Sequence, residues 1–481
     1  MQDDRSARLA EMERMASVAP PQYWRALDFA RLVEDYPPPP QYFRTVYRMP
    51  RDALRELQER RFVAQVARAW EIPFFRRRWH EAGLVERDLR GIADLPKIPV
   101  YTVSDVRDSL ERHPPFGDFM GVSPADGRTM PLVIQTSGGT TGMPRPMLYA
   151  PQDREVMAIL GARRLVMHGV RPGDLVQVTR ALGLPNGGFH LREALWKYTG
   201  AVPVMTGTGK NTPTRRQIEI IQAWGTSVLI GFPAYLRHMA MVARDEMNID
   251  PRSLGIRSLD SSLGPEDRAS IEDLWGAPVY DFYGAHETGM IAAECVFQDG
   301  MHLQEDAFIV EILDVETGLP VPDGTAGNVC VTTLYKHSAP LIRYNIADVS
   351  SIRTGTCACG GTSLRLSAIA GRSDSMVKLR GVNVFPEAVG ALVVEDRRTN
   401  GEFLCVVERE GKAGRDAMRV RVESAVGPGD CDRLRRDLET RLNEALGVGI
   451  LVEVVAEGAL EPDTRVTQDT KPRRLLDRRH A

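Results

Sequence analysis

Through the middle of the chain, short apolar runs alternate with longer stretches that mix apolar and polar positions. Leu175 to Val178, Val202 to Met205, Val228 to Ile230 and Pro278 to Phe282 read as buried strands, with helices such as Arg215 to Trp224 and Pro233 to Glu246 between them. That alternation predicts an α/β fold whose mostly parallel sheet is covered by helices. Upstream, residues 1 to about 90 read as mostly helical. Arg51 to Glu71 is free of proline, and Pro37 to Pro40 forms a stiff polyproline break before it. Beyond Phe308 the pattern changes. Phe308 to Leu313 and Asn328 to Leu334 alternate like half-buried antiparallel strands around the turn-rich VETGLPVPDGTAG, which predicts a β-rich subdomain over about 308–370. The last hundred or so residues carry strands at Phe403 to Glu408, Met418 to Val422 and Ile450 to Val455 and an amphipathic helix at Asp432 to Leu446, the makings of a small α+β domain.

Composition narrows the function classes. With 481 residues, 43% of them hydrophobic, the chain can bury a large core over two or more domains. A net charge of −3 argues against a general nucleic-acid binder, and the arginine runs Arg76 to Arg78 and Arg473 to Arg479 read equally well as solvated faces. No run approaches the ~18 apolar residues of a membrane span, and the start Met-Gln-Asp-Asp is unlike a signal peptide, so a cytoplasmic location without membrane association is expected. Six cysteines are too few for a disulfide scaffold and read as reduced thiols or metal ligands.

The run from Gln135 to Arg145, QTSGGTTGMPR, carries the first chemistry. Gly138, Gly139 and Gly142 let backbone N–H groups approach phosphoryl oxygens, while Ser137, Thr140 and Thr141 add hydroxyl donors and Arg145 a fixed charge. The loop is flanked by apolar Pro131 to Ile134 and Pro146 to Tyr149, which look like two strands, and it lacks the Gly-Lys-Ser/Thr ending of a P-loop. A polyphosphate such as ATP fits it.

Four further segments follow in order: YDFYGAHETG (Tyr280 to Gly289), RYNIADV (Arg343 to Val349), AGRSDSMVKLRGVNVFP (Ala370 to Pro386) and DTKPRRLLD (Asp469 to Asp477). With these the chain resembles the adenylate-forming superfamily of acyl-CoA synthetases, luciferases and peptide-synthetase adenylation domains. It is most similar to the phenylacetate-CoA ligase branch, through PFFRRRWHEAGL, LPKIPVYTVSDVR, HPPFGDF and ECVFQDGMHLQEDAF. The resemblance covers about residues 55 to 481. It implies an N-terminal extension (1–54), a large adenylation domain (55–373) and a mobile C-terminal domain (374–481) hinged at Asp374.

The resemblance also implies roles. Glu287 matches the magnesium ligand, with His286 beside it where serine or threonine is usual. Asp348 would accept both ribose hydroxyls, and Arg372 would add a second contact. Tyr283 would lie on adenine within the Phe282 to Gly284 strand end, Asp281 would accept its amino group, and Gly264, Pro265 and Glu266 would face the base from the other side. Lys471 matches the catalytic lysine, an ammonium bridging the attacking carboxylate and the α-phosphorus. After rotation the segment Lys378, Arg380 and Gly381 would meet coenzyme A, although Gly381 reads equally well as a turn residue.

Gly187, Gly188, Gly231, Phe232, Pro233 and Ser262 are candidate acid-pocket positions, or core. Cys357 and Cys359 with Cys295 and His302 form a Cys₃His set suited to structural zinc, the alternative being four unconnected residues; Cys330, Cys405 and Cys431 read as plain buried thiols. The expected activity is an ATP- and Mg²⁺-dependent, AMP-forming ligase that joins a small aromatic carboxylic acid to coenzyme A, and a homodimer is compatible with it. Two alternatives stay open: activation of a non-carboxylate such as nitrite for diazotising an aryl amine, and a non-catalytic nucleotide-binding or carrier-loading partner.

Overall fold

The computed structural model describes residues 2–17, 19–137, 144–264, 268–379, 382–410, 415–464 and 473–479. A nine-stranded sheet forms its centre, in the spatial order Ile352–Arg353, Arg365–Leu366, Met301–Leu303, Gly289–Glu294, Val279–Ala285, Ser258–Ser261, Val228–Ile230, Leu175–Val178, Val202–Val204. The last five are parallel, as the βα alternation requires. The first four join antiparallel, so the sheet is parallel over only about half its width. The antiparallel half grows from the hairpin that returns at Thr288, which the short segment ECVFQDGMHL does not announce by periodicity.

A second sheet, antiparallel throughout, contains Phe308–Leu313, Gly327–Thr333, Tyr344–Ser350 and Gly371–Arg372. Residues 352–353 and 365–366, expected within the same β-rich unit, pair with the large sheet instead. Toward the C-terminus a hairpin (Val377–Leu379, Val382–Val384) and the mixed sheet Leu451–Val455, Arg415–Ser424, Thr399–Glu410, Leu475–Asp477 pack with two helices, Pro386–Val394 and Pro428–Leu446, around their own apolar cluster from Val377 to Val452.

The N-terminal residues are helical over Gln2–Ser17, Phe29–Asp35 and Arg51–Glu71. The expected polyproline break is a turn at Pro39–Pro40, which runs into the short helix Gln41–Arg44. The helix Pro151–Met167 is buried all round except at Gln152 and Val166, although it carries several charged residues. Three of them are neutralised locally: Arg163 bonds both oxygens of Asp306 at 2.9 and 3.0 Å, Arg154 pairs with Glu193 at 2.7 Å, and Glu155 accepts from Lys197 and Tyr198. A charged helix reads as a surface element until such partners are known.

Candidate active site

The strand Val279–Ala285 carries Asp281, Phe282, Tyr283 and Gly284 to the carboxyl edge of the parallel strands, where α/β sheets place their ligands. It turns at His286, Glu287 and Thr288 and returns as Gly289–Glu294. The turn is tight. A Cβ at Gly284 would run into the carbonyl oxygen of Gly289, and Gly289 itself sits at φ +72°.

Three successive carbonyls of this turn are each held by a buried donor. Tyr149 Oη donates to His286 O at 2.7 Å, Lys336 Nζ to Glu287 O at 2.6 Å, and Tyr335 Oη to Thr288 O at 2.6 Å. Lys336 is fully buried; burial pulls its ammonium down to about 8, with Asp153 and Glu287 opposing the shift. Asp153, also fully buried, accepts from the His337 and Ser338 N–H groups at 2.6 and 3.0 Å and so fixes the backbone that presents Lys336. Sequence reasoning passed over these donors. Their one signal is the Tyr-Lys pair directly after an apolar strand.

The Glu287 carboxylate lies 2.9 Å from Arg145 Nη2, and both side chains are largely buried. Arg145 closes a short antiparallel ladder opposite Ser137, so the ends of the glycine-rich loop are brought together beside Glu287. The predicted phosphate contact and the predicted magnesium ligand thus neutralise each other. A cation-bearing polyphosphate would offer both a stronger partner.

On the second sheet, Asp348 faces Arg372 in register. Tyr283 Oη donates to Asp348 Oδ2 at 2.8 Å, and Arg372 Nη1 to Oδ1 at 2.8 Å. Burial, then the Asp348 charge, holds the Tyr283 phenol far above its ordinary value, so it stays a donor. Arg372 also grips Asp374 through Nε at 2.8 Å and Nη2 at 2.6 Å. One arginine therefore links the carboxylate expected at the ribose to the residue expected at the hinge.

Asp281 is 4% exposed, and its Oδ1 accepts the N–H groups of Leu263 and Phe282, both at 2.8 Å. Burial pushes its carboxyl up to about 7. Its place is under the turn Ser262 to Gly264, where Gly264 has φ +60°. The Phe282 ring points the other way along the alternating strand, with the Arg164 guanidinium 3.9 Å from its centroid.

Of the candidate pocket positions, Gly231 and Phe232 join the strand Val228–Ile230 to the helix Pro233–Met241, whose first residue is Pro233. Gly187 and Gly188 lie in the first turn of the helix Asn186–Tyr198, where a Cβ at Gly188 would strike Ala181 O at 2.6 Å. His190 on that helix is buried, neither ring nitrogen has a hydrogen-bond partner among the described residues, and burial, then Arg154, holds its imidazole down to about 3.

The Cys295, His302, Cys357 and Cys359 ligand atoms all lie within 4.8 Å of one another. Cys295 Sγ is 3.6 Å from Cys357 Sγ, and Cys359 Sγ is 3.3 Å from His302 Nε2. A tetrahedron built on Zn–S of about 2.3 Å and Zn–N of about 2.0 Å has edges in this range. Tyr47 Oη and Gly361 N donate to Cys359 Sγ at 3.0 and 3.4 Å, and His302 Nδ1 meets Ser363 Oγ at 3.2 Å, the outer contacts a metal centre uses to orient its ligands. The N-terminal residues Tyr42, Phe43 and Tyr47 cover the cluster. Of the other cysteines, Cys330 and Cys405 are fully buried, whereas Cys431 is only half-buried, its Sγ 3.7 Å from Val426 O.

Lys378 pairs with Glu316 at 2.6 Å on the surface. Gly138, Gly139, Thr140, Thr141, Gly142, Pro265, Glu266, Arg380, Gly381 and Lys471 lie outside the described residues, as does the Ser137 side chain.

A parallel sheet carrying a tyrosine and an acidic-basic pair at its carboxyl edge, with a glycine-rich hairpin beside it, defines an adenylate-forming enzyme. The sequence profile of the AMP-binding enzyme family matches residues 85–334, and that of the AMP-binding enzyme C-terminal domain matches 381–479. The chain is 34% identical to the phenylacetate-coenzyme A ligase of Thermus thermophilus over 78% of its length and 82% of the relative's. It is 31% identical to that of Aromatoleum evansii over 92% and 98%. The chain belongs to the AMP-binding enzyme family, in its phenylacetate-CoA ligase branch, and is an ATP-dependent, AMP-forming acid–CoA ligase.

Among solved structures, 2-hydroxyisobutyryl-CoA ligase with its acyl-AMP in the post-adenylation state aligns at TM-score 0.79, 30% identity, over 90% of this chain and 91% of that one. The same enzyme in its thioesterification state, at equal identity and coverage, aligns at 0.65.

Proposed function

We propose that the enzyme activates a small aryl carboxylic acid as its acyl-adenylate and passes the acyl group to coenzyme A in the cytoplasm. The observation that carries this reading is the convergence of Tyr283, Asp348 and Arg372 with the Arg145–Glu287 pair along one edge of the sheet. In this reading Asp348 takes the ribose hydroxyls, displacing its bonds to Tyr283 and Arg372. Tyr283 lies on the base, and Asp281, whose Oδ1 holds the turn on the base's other side, accepts from the adenine amino group. Glu287 would hold magnesium, which when bound neutralises charge between phosphoryl oxygens.

The acid enters between Gly231 to Pro233, Ser262 and the Gly187–Gly188 turn, and its carboxylate attacks the α-phosphorus while Lys471 balances the charge that builds up. In this reading His286, at the start of the Glu287 turn, donates to an α-phosphoryl oxygen. With adenylation complete, rotation about Asp374 withdraws Lys471 and brings Lys378 to Gly381 to the incoming thiol. Cys295, His302, Cys357 and Cys359 would hold a structural zinc that ties the hairpin behind Glu287 to the N-terminal residues.

Pyrophosphate release measured with aryl acids, short aliphatic acids and nitrite, each with and without coenzyme A, tests the reading. Aryl-acid-dependent release with thioester formation supports it. Release only with nitrite and an aryl amine would replace it, and silence across the panel would leave a nucleotide-binding partner.

A further inference from the structure

One guanidinium that sequence reasoning did not single out lies against Phe232, in one of the segments expected to form the acid pocket. Arg180 closely follows the strand Leu175–Val178, at the carboxyl edge, and begins the segment that leads to Gly187 and Gly188. Its guanidinium carbon lies 3.6 Å from the Phe232 ring centroid and 5.9 Å from that of Phe282. Strands ending at Ser261 and Ile230 lie between those of Phe282 and Arg180. Arg180 is only partly exposed, makes no hydrogen bond or ion pair with any described residue, and has its Nη1 fully enclosed.

The surroundings make this harder to explain as ordinary packing. Arg164, 1% exposed in its side chain, reaches Asp260 at 3.4 Å through Nε, and its Nη2 is unpartnered among the described residues. Asp260 spends Oδ2 on His168 Nδ1 at 2.7 Å. Its Oδ1 is buried and has no hydrogen-bond partner among the described residues. Asp260 is also the carboxylate that acts electrostatically on Arg180, so two guanidiniums share it. Aromatic faces compensate a cation only in part, and a buried donor without an acceptor costs as much as a lost hydrogen bond. Even with Asp260 Oδ1 open, two guanidiniums facing one carboxylate leave an excess positive charge that a ligand bringing an acceptor would balance.

We propose that Arg180 binds a second oxygen-bearing group of the acid, remote from the carboxyl that is activated, so that the preferred substrates are aryl acids carrying a ring hydroxyl or carboxylate. This rests on the acid-activating reading above and narrows its substrate class. A planar guanidinium stacked on Phe232 can present two parallel N–H groups to a carboxylate or one to a hydroxyl, while the ring of the acid lies along the aromatic wall.

The test pairs phenylacetate with its 4-hydroxy and 4-carboxy derivatives. Acid-dependent pyrophosphate exchange is measured for the wild-type enzyme, Arg180→Leu and Arg180→Lys, with melting temperatures to verify folding. Calorimetric binding of the same acids in the presence of a non-hydrolysable ATP analogue supplies a readout that needs no turnover. The wild type is expected to favour the oxygen-bearing acids by at least ~10-fold in kcat/KM and in affinity, because a site built around a hydrogen bond rejects the analogue that lacks it. Arg180→Leu should bring that ratio close to one, and Arg180→Lys should keep part of it for the carboxylate alone. Equal or better handling of phenylacetate by the wild type, or a ratio that survives Arg180→Leu, overturns the proposal. If the acids bind with the expected ratio but none releases pyrophosphate, the ligase reading fails and the pocket assignment stands. If phenylacetate and its derivatives turn over without preference, only the pocket assignment fails.

Discussion

The ammonium of Lys336 donates to the carbonyl oxygen of Glu287 at 2.6 Å, from a residue 49 positions further along the chain. Tyr149 and Tyr335 hold the carbonyls on either side of it. The turn that presents the Glu287 carboxylate is thus fixed by its backbone, leaving the side chain to exchange partners. Catalytic groups held through a second layer of buried contacts keep their geometry when ligand arrives.

Lys336→Met keeps the length of the side chain and removes the donor and the charge. Adenylation kcat should fall roughly 10- to 100-fold, the cost of a misplacement of about an ångström, with a smaller change in KM for the acid. A basic limb near pH 8, where the Lys336 ammonium titrates, should appear in the wild-type rate profile and flatten in the variant. An unchanged kcat with the limb intact would remove Lys336 from the mechanism.

Asp281 makes stability depend on pH. Its folded carboxyl is pushed up to about 7, above the ordinary unfolded value, so between about pH 4 and 7 the folded state binds more protons and this contribution to stability declines as pH rises. Asp281→Asn keeps an acceptor for Leu263 and Phe282 and does not titrate. Relative to wild type it should gain stability from pH 4 to 8, by up to a few kcal/mol, since each tenfold change in proton affinity is worth about 1.4 kcal/mol. Denaturant midpoints of both proteins at several pH values measure this, and parallel curves would contradict it.

The Cys₃His cluster should bring about one zinc per chain through purification, read by elemental analysis. Cys359→Ser, or a strong chelator, should lower the melting temperature by ~5 °C or more, since a ligand bound only by the folded state stabilises it. Proteolysis near Tyr42 to Tyr47 should quicken in parallel, because those residues rest on the cluster. Metal-free protein with an unaltered melting temperature in the Cys359→Ser variant would refute the site.

Lys471→Ala should separate the two half-reactions. Pyrophosphate exchange is expected to drop ~100-fold or more, the usual scale for losing a charge that acts in the transition state. Thioester formation from a supplied acyl-adenylate should change little. Equal losses in both would point to a role in binding or folding.

The class of the enzyme was legible along the chain because its chemistry is written in local, ordered segments. The glycine-rich loop, Glu287, Asp348 and Lys471 each stand in a short motif whose residue types suit one task, and an apolar run marks the strand that leads to Glu287. The parallel strands were readable for the same reason. The antiparallel half of the sheet was not, since Gly289–Glu294 is buried along its whole length and carries no alternation that distinguishes its pairing. Nor was the buried helix Pro151–Met167, whose charges look solvent-exposed until Asp306, Glu193 and Lys197 arrive from distant segments.

By itself, then, the sequence determined the kind of reaction and the residue types that serve it. Tertiary structure alone decided that Arg145 rests on Glu287 from 142 positions away, that Lys336, Tyr149 and Tyr335 grip one turn, and that Arg180 lies against Phe232 with no acceptor among the described residues. Periodicity reports which face of an element leaves water. Which buried donor meets which acceptor depends on close packing between elements far apart in the chain, and no local pattern encodes that.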